Sequence, residues 1–438
     1  MLDAGAAGDG GGLAFEPTGE QPPGEQPPGE QPPDEQPPPP PLCVLELSCE
    51  GEIVDEPKID CHISVAHGDG SPNYDGPVGV EIRGRSSQAY PKKNYAIELR
   101  DGLGLQQAVN LLGMGRESDW VLDGSWIDRS FLRNPLALDL YRSLGGDDHY
   151  APRSRFCQLQ LDGEAVGIYR LTERIKRDDD RIDIAEDDGT GGSFVIKQDD
   201  EGAVRWDIGE QAQWKLVYPR EELATPAQIA GIQRFVDDLD GATYAVDPGF
   251  PAGGLFTHVD IDAMVDWVLI EELAKNVDAY NLSVHLWRGA GGLARPVPWD
   301  FDLSMGQPLI DGSADNGQPQ GWTRRLSRFV QAMARAPAFQ QRLVERWRTH
   351  RGDVLSEAVI EARIDDYLVT LERGAIDDNF ARWPLADVDF RQIYGPYALY
   401  PIGSHAAEIA RLRDFLRQRL LWIDANIEGY IDGNDGGR

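Results

Sequence analysis

Carboxylates, paired cations and an amide occur in this chain at spacings that suit phosphoryl transfer. Asp278 lies in Asn276-Val277-Asp278-Ala279-Tyr280-Asn281, and 22 residues beyond it Asp300 opens the Asp300-Phe301-Asp302 of Trp299–Asp302. Upstream, Lys92-Lys93 and the pair Arg83 and Arg85, separated by Gly84, supply cations. Moving a phosphoryl group from a nucleotide needs little covalent chemistry. It needs cations against the phosphates, carboxylates for a divalent metal, and a carboxylate that orients the attacking hydroxyl. Hard carboxylate and amide oxygens suit Mg2+ or Mn2+. Arg83 and Arg85, taken as sharing one strand face, could clamp phosphate bidentately; pairing with acids of the same domain accounts for them equally well. Successive strand residues face opposite sides, so only one of Lys92 and Lys93 is expected to point into a cleft.

The elements that must position these residues are legible in the pattern. Segments of β type run Cys43–Leu47, Ile59–Val65, Val78–Arg83 and Tyr95–Leu99, the last alternating as a half-buried strand does. Phe131, Leu132, Leu136, Leu138, Leu140 and Tyr141 predict a helix over Asp128–Leu144, ended by Gly145-Gly146. Phe156–Leu161 and Val166–Leu171 predict a hairpin around Asp162-Gly163, and Gly192–Lys197 a further strand. From residue 225 the pattern turns helical. Thr225-Pro226 caps a helix to about Leu239, and Asp260–Lys275 reads as a strongly amphipathic helix behind an acidic cap. Val284–Trp287 and Ala294–Pro298 read as short strands around Gly291-Gly292. Helices are expected near Arg325–Ala334, Ala338–Arg348, Ser356–Arg373 and Ser404–Ile427. A β-rich first half and a helix-rich second half define an α+β class.

Strand with Lys, helix, hairpin, long helix, Asp, short hairpin and Asp follow one another in the order of a protein kinase. Asp300-Phe301-Asp302 resembles the Asp-Phe-Gly of that fold in position and chemistry. More specific are Ile82-Arg83-Gly84-Arg85-Ser86-Ser87, Pro91-Lys92-Lys93-Asn94-Tyr95-Ala96-Ile97-Glu98-Leu99 and Gly167-Ile168-Tyr169-Arg170-Leu171-Thr172-Glu173. With Asp278-Ala279-Tyr280-Asn281 and Trp299–Gly306, they resemble the CotH (spore coat protein H) family of atypical protein kinases over about residues 43–430. The resemblance implies a two-lobed kinase-like fold, with lobes of about 43–220 and 221–430. It implies ATP-dependent transfer, with Mg2+ or Mn2+, to Ser or Thr hydroxyls of extracytoplasmic, surface or coat proteins. Asp278 would then orient the acceptor hydroxyl, and Asp300 would bind the metal with Asp302 and Asn281 as auxiliary ligands. Lys93, or else Lys92, would contact phosphate. Glu173 would anchor Lys93 or sit at the adenine hinge, an ion pair with Arg174 or Lys176 being the plain alternative.

Two features depart from that pattern. Asn281 follows Asp278 by three positions, whereas kinases place the metal-binding Asn about five later; Ser283 and His285 are the possible substitutes. No Gly-x-Gly-x-x-Gly phosphate loop is present. A non-catalytic surface or structural protein on a degenerate kinase fold is therefore the alternative reading, and a kinase for a small molecule or glycan is a third.

Composition bounds the partners. Of a net charge of −32, eight acids and no Lys or Arg lie in residues 1–42, leaving −24 on the rest. Such a field opposes nucleic acid and anionic lipid and is compatible with divalent cations and basic or neutral proteins; solubility alone also explains it. No apolar run approaches the roughly 20 residues of a membrane span. A monomer is expected. Residues 1–42 read as a disordered Pro/Gly-rich spacer in which 19–38 repeat Gly-Glu-Gln-Pro-Pro three times and then Asp-Glu-Gln-Pro-Pro; it cannot build a core and would suit surface tethering. Residues 431–438 are expected to form a tail. Met1–Gly5 has neither a basic start nor an apolar stretch, so an export signal is expected upstream and the location extracytoplasmic. No Cys-x-x-Cys pair points to zinc. A disulfide among Cys43, Cys49 and Cys61 is expected, with Cys157 paired or buried and the connectivity open. Asp178–Asp183 and Asp199–Glu201 read as solvated charge, and Trp120 and Trp126 as candidates to line a cleft.

Overall fold

Alternation of apolar and polar residues folds the first half into strands that share one interior. In β1 (Cys43–Cys49) Cys43, Leu45 and Leu47 are buried, while Glu46 and Ser48 face solvent. The computed structural model describes residues 42–199, 202–205, 213–244, 254–280, 283–307, 317–323, 327–371, 373–385 and 403–430, all within the unit Pro39–Arg438. Apart from Leu42, the expected spacer and tail lie outside the described residues, as does Asn281.

With β2 (Ile59–Ala66), β3 (Pro72–Arg83), β4 (Asn94–Leu99), β7 (Asp119–Asp123), β8 (Ser154–Leu161) and β9 (Glu164–Glu173), β1 closes a barrel in the order β1-β2-β3-β4-β7-β9-β8. A short ribbon of β5 (Val109–Asn110) and β6 (Arg116–Glu117) lies between β4 and β7 in sequence. Leu45, Ile63, Val80, Ile97, Trp120 and Leu171 belong to the core of the barrel. The seam is a parallel pairing of β1 with β8 that sets Cys43 opposite Cys157, and a disulfide joins them. A second disulfide joins Cys49 and Cys61, which face each other on β1 and β2. Register thus decides a connectivity that the cysteine spacing left open.

The helix expected from Asp128 begins five residues later, as α1 (Arg133–Gly145). The intervening turn is organised by the Asp128 carboxylate, which accepts the backbone N–H groups of Ser130 at 3.0 Å and Arg133 at 2.9 Å. A second sheet takes β10 (Phe194–Asp199), β11 (Val204–Arg205) and β12 (Gln213–Tyr218) from the first half. It is completed by β13 (His285–Arg288) and β14 (Arg295–Val297) from the second, in the order β11-β12-β10-β13-β14. Its ladder therefore crosses residue 220, since β10 pairs with β13.

Among the described residues seven helices follow α1: α2 (Pro226–Thr243), α3 (Ile261–Ala274), α4 (Arg328–Arg335), α5 (Pro337–Arg351), α6 (Glu357–Leu371), α7 (Arg373–Arg382) and α8 (His405–Asn426). The helix expected over Ser356–Arg373 is α6. α3 is not amphipathic as its sequence implied: every residue from Ala263 to Ala274 is buried. Two of its buried acids are paired with cations, while burial pushes the third, Glu271, up to about 8. Asp266 meets His149 and Arg346, and Glu272 meets Arg419 at 3.3 Å. Buried from Ala263 onward, α3 is the axis of the helical half. The fold is α+β, β-rich in its first half and helical in its second.

Candidate active site

Asp278 stands four residues beyond α3, and Asp300 three residues beyond β14. Both line one cleft of about 540 Å³. Asp302 and Asp123 line it with them, opposed by Arg83, Arg85, Arg170 and Lys197. The backbone around these acids is unusual. Lys275 (φ 49°), Tyr280 (70°), Ser283 (56°), Asp300 (67°) and Met305 (45°) all adopt the left-handed region that non-glycine residues seldom enter. Such conformations persist only where surrounding contacts enforce them, and they gather at functional sites.

The contacts are specific. Ser283 donates its hydroxyl to Oδ2 of Asp300 at 3.3 Å. Asn134, in the first turn of α1, donates its amide to Oδ1 of Asp302, and its own oxygen accepts the Phe301 N–H at 2.9 Å. Asp123 pairs with Arg170, its cross-strand neighbour on β9. Burial pushes the Asp300 carboxyl above the usual carboxylate range, the Asp123 charge adds to this, and Arg83 opposes it. Burial, followed by the charges of Asp123 and Asp300, pushes Asp302 well above that range. Arg83 lies 5.8 Å from the centroid of the Trp299 ring. Burial pulls its pKa down while Asp123 pulls it up. Lys197 on β10 sits 3.1 Å from Asp199.

Arg83 and Arg85 both reach the cleft, although not by sharing a strand face. β3 ends at Arg83, and Gly84, at φ 112°, turns the chain before the short helical turn Ser86–Ala89. A Cβ on Gly84 would meet the Ser87 hydroxyl at 1.8 Å, so the turn requires glycine. Lys92 and Lys93 do not line the cleft. Both precede β4, where strand alternation does not apply. Lys92 is buried and donates to the Ile168 carbonyl at 2.5 Å and to Oδ1 of Asn379 at 2.9 Å. Burial there pulls its ammonium down to about 7. Lys93 donates to the Gln88 carbonyl at 2.6 Å. Glu173 is fully buried and binds Arg153 through Oε1 at 2.6 Å, rather than Lys93, Arg174 or Lys176. Of the two substitutes for Asn281, Ser283 reaches Asp300. His285 lies on β13 with Nδ1 3.1 Å from the Ser283 carbonyl, its imidazole pulled down to about 3 by burial. Trp120 and Trp126 are buried and do not line the cleft.

Sequence reasoning passed over Asp123, Asn134, Arg170 and Lys197. For two of them a signal was present: Asp123 follows directly on the apolar Trp120-Val121-Leu122 at the end of β7, and Arg170 interrupts the apolar run from Val166 to Leu171 on β9.

Among the described residues no three His, Cys, Asp or Glu side chains gather as a metal cage. Mg2+ at phosphate sites is held by one or two carboxylates together with phosphate oxygens rather than by such a cage. Asp300 and Asp302 fit that donor set, and a cation would offset the burial and the carboxylate repulsion that raise their pKa values.

A fold with carboxylates from two loops facing cations across one cleft has the parts that phosphate chemistry uses. The family model described as CotH kinase protein matches residues 80–423, and the chain belongs to the CotH kinase family. Comparison with curated proteins finds no match.

Proposed function

We propose that this chain is an ATP-dependent phosphotransferase acting on Ser or Thr hydroxyls of extracytoplasmic, surface or coat proteins. The observation that carries the reading is the convergence of Asp278, Asp300 and Asp302 with Arg83, Arg170 and Lys197 on one cleft. Its volume of about 540 Å³ falls within the roughly 300–1,000 Å³ usual for small-molecule sites. Asp278 orients the acceptor hydroxyl. Arg83 and Lys197 take the phosphate-contacting role that Lys92 and Lys93, engaged elsewhere, leave open. Asp300 and Asp302 would hold a divalent cation, which would supply charge neutralisation on the phosphates.

Two disulfides suit an oxidising compartment and support an extracytoplasmic location. Among the described residues no helix is long and apolar enough to cross a membrane. A second reading, a non-catalytic surface or structural protein on a degenerate kinase fold, draws on the placement of Lys92 and Lys93 outside the cleft.

Thermal melting separates the two. A ligand that binds only the folded state raises stability by about 2.7 kcal/mol at a hundred times its Kd. ATP with Mn2+ is expected to raise the Tm of the wild type, EDTA to abolish the rise, and Asp300→Ala to remove most of it. A wild type that does not respond supports the non-catalytic reading.

A further inference from the structure

Asn276 is 2 % exposed and follows directly on the left-handed Lys275 at the end of α3. Its side chain touches both acid-bearing segments. Oδ1 accepts the backbone N–H of Asp278 at 3.3 Å, and Nδ2 donates to the backbone carbonyl of Asp300 at 3.2 Å. Nδ2 also donates to Oε2 of Glu271 at 3.1 Å. Glu271 is fixed in turn by the Trp267 indole N–H at 3.1 Å. One amide thus uses its acceptor on the Asp278 segment and its donors on the Asp300 segment and on α3. No other side chain type of this size offers a carbonyl oxygen and two N–H groups together.

Main-chain bonds already join the two segments. Val277 N–H donates to the Leu303 carbonyl at 3.2 Å, and Met305 N–H to the Ala274 carbonyl at 2.7 Å. The segments therefore stay associated without Asn276. What its amide adds is the register of the two aspartates within that association, including the orientation of Asp300 at φ 67°. Catalytic groups must be held close to their productive geometry by the shell around them, and small displacements are costly.

We propose that Asn276 is a positioning residue for phosphoryl transfer, a single buried amide that fixes the Asp278 and Asp300 backbones relative to each other and to α3. The proposal rests on the phosphotransferase reading of this cleft.

Two variants of the full chain test it, Asn276→Asp and Asn276→Leu. Asn276→Asp keeps an oxygen to accept the Asp278 N–H, loses the donors and sets a second carboxyl against Glu271. Asn276→Leu loses both. The first readout is transfer from ATP with Mn2+ to a casein acceptor. Both variants should lose about 10–100-fold in rate, as when second-layer ligand supports are removed. The loss should lie in kcat, with the KM for acceptor nearly unchanged. The second readout needs neither metal nor activity: amide hydrogen exchange of the metal-free protein. Asn276→Asp should speed exchange at 300–304 while leaving 276–280 protected, and Asn276→Leu should speed both, with barrel amides unchanged in each.

Loss of barrel protection in Asn276→Leu would mean that this variant misfolds, and Asn276→Asp then carries the test. Variants with wild-type kcat, or with wild-type exchange in both segments, overturn the proposal while leaving the phosphotransferase reading standing. A wild type that transfers no phosphate, with the expected exchange pattern intact, removes the phosphotransferase reading and leaves Asn276 with a structural role alone.

Discussion

The barrel of residues 43–173 and the cleft segments of residues 275–305 are held in place by different means. In the barrel each strand pairs on both sides, alternate residues fill one core, and two disulfides close the ladder. In the cleft segments the backbone enters the left-handed region at five non-glycine residues, and single side chains such as Asn134, Asn276 and Ser283 hold it there. Repetitive main-chain bonding makes a scaffold that tolerates substitution on its outer face. Point contacts make a site in which each polar side chain matters. Substitutions in the barrel should therefore move stability, and those in the cleft segments should move activity.

Arg133, in α1, ties the cleft segment at Ser304 to α1 and α8, so its loss should have the largest effect on stability. It is fully buried, pairs with Asp128 and Glu408, and donates to the carbonyl of Ser304 at 2.8 Å. Arg133→Met leaves two buried carboxylates without their cation and should cost about 3–5 kcal/mol in urea unfolding, with activity falling as well. A protein that keeps full stability and activity would show that the clamp does not tie the cleft segment to these helices.

The seam disulfide comes next. Replacing both Cys43 and Cys157 by Ser opens a link between residues 114 apart in sequence and should cost about 2–4 kcal/mol. Transfer per folded molecule should stay at the wild-type level. If it drops in proportion to stability, barrel and cleft are not separable as described.

Lys92 gives the most graded effect, the smallest of the three over any one pH unit. Burial pulls its ammonium from the usual 10.5 to about 7. Between those values the unfolded chain binds the proton and the folded chain does not, so this term makes the wild type more stable as pH rises. Below about pH 7 the lysine is charged in both states and the cost of burying the charge is fully present. Relative to Lys92→Met, wild-type stability should climb across this window by at most about 1.4 kcal/mol per pH unit. A pH-independent difference between the two would contradict the assignment.

Six of the seven barrel strands and the start of α2 were legible because local chemistry decides them: alternation, the Asp162-Gly163 turn and the Thr225-Pro226 cap; β7, buried at every position and so without alternation, was not. Asp278 and Asp300 were legible because each follows a recognisable element. The lysines were not. Whether Lys92 points into a cleft depends on where β4 starts, and the strand begins two residues after it. The partner of Glu173 was hidden as well, because Arg153 is 20 residues away in sequence and meets it only through the β8–β9 pairing. The burial of α3 was concealed by its acids, whose partners Arg346 and Arg419 come from α5 and α8. Local signals name the elements; contacts distant in sequence choose which charges face the cleft.

The most direct measurement is transfer of radiolabelled phosphate from ATP, with Mn2+ or Mg2+, by the full chain to itself and to a generic protein acceptor. Asp278→Ala and Asp300→Ala serve as controls. The wild type should label Ser or Thr in a metal-dependent manner, and each variant should fall about 10²–10⁴-fold while melting like the wild type without ligand. No label in the wild type, or equal label in all three proteins, would contradict the assignment of this cleft to phosphoryl transfer.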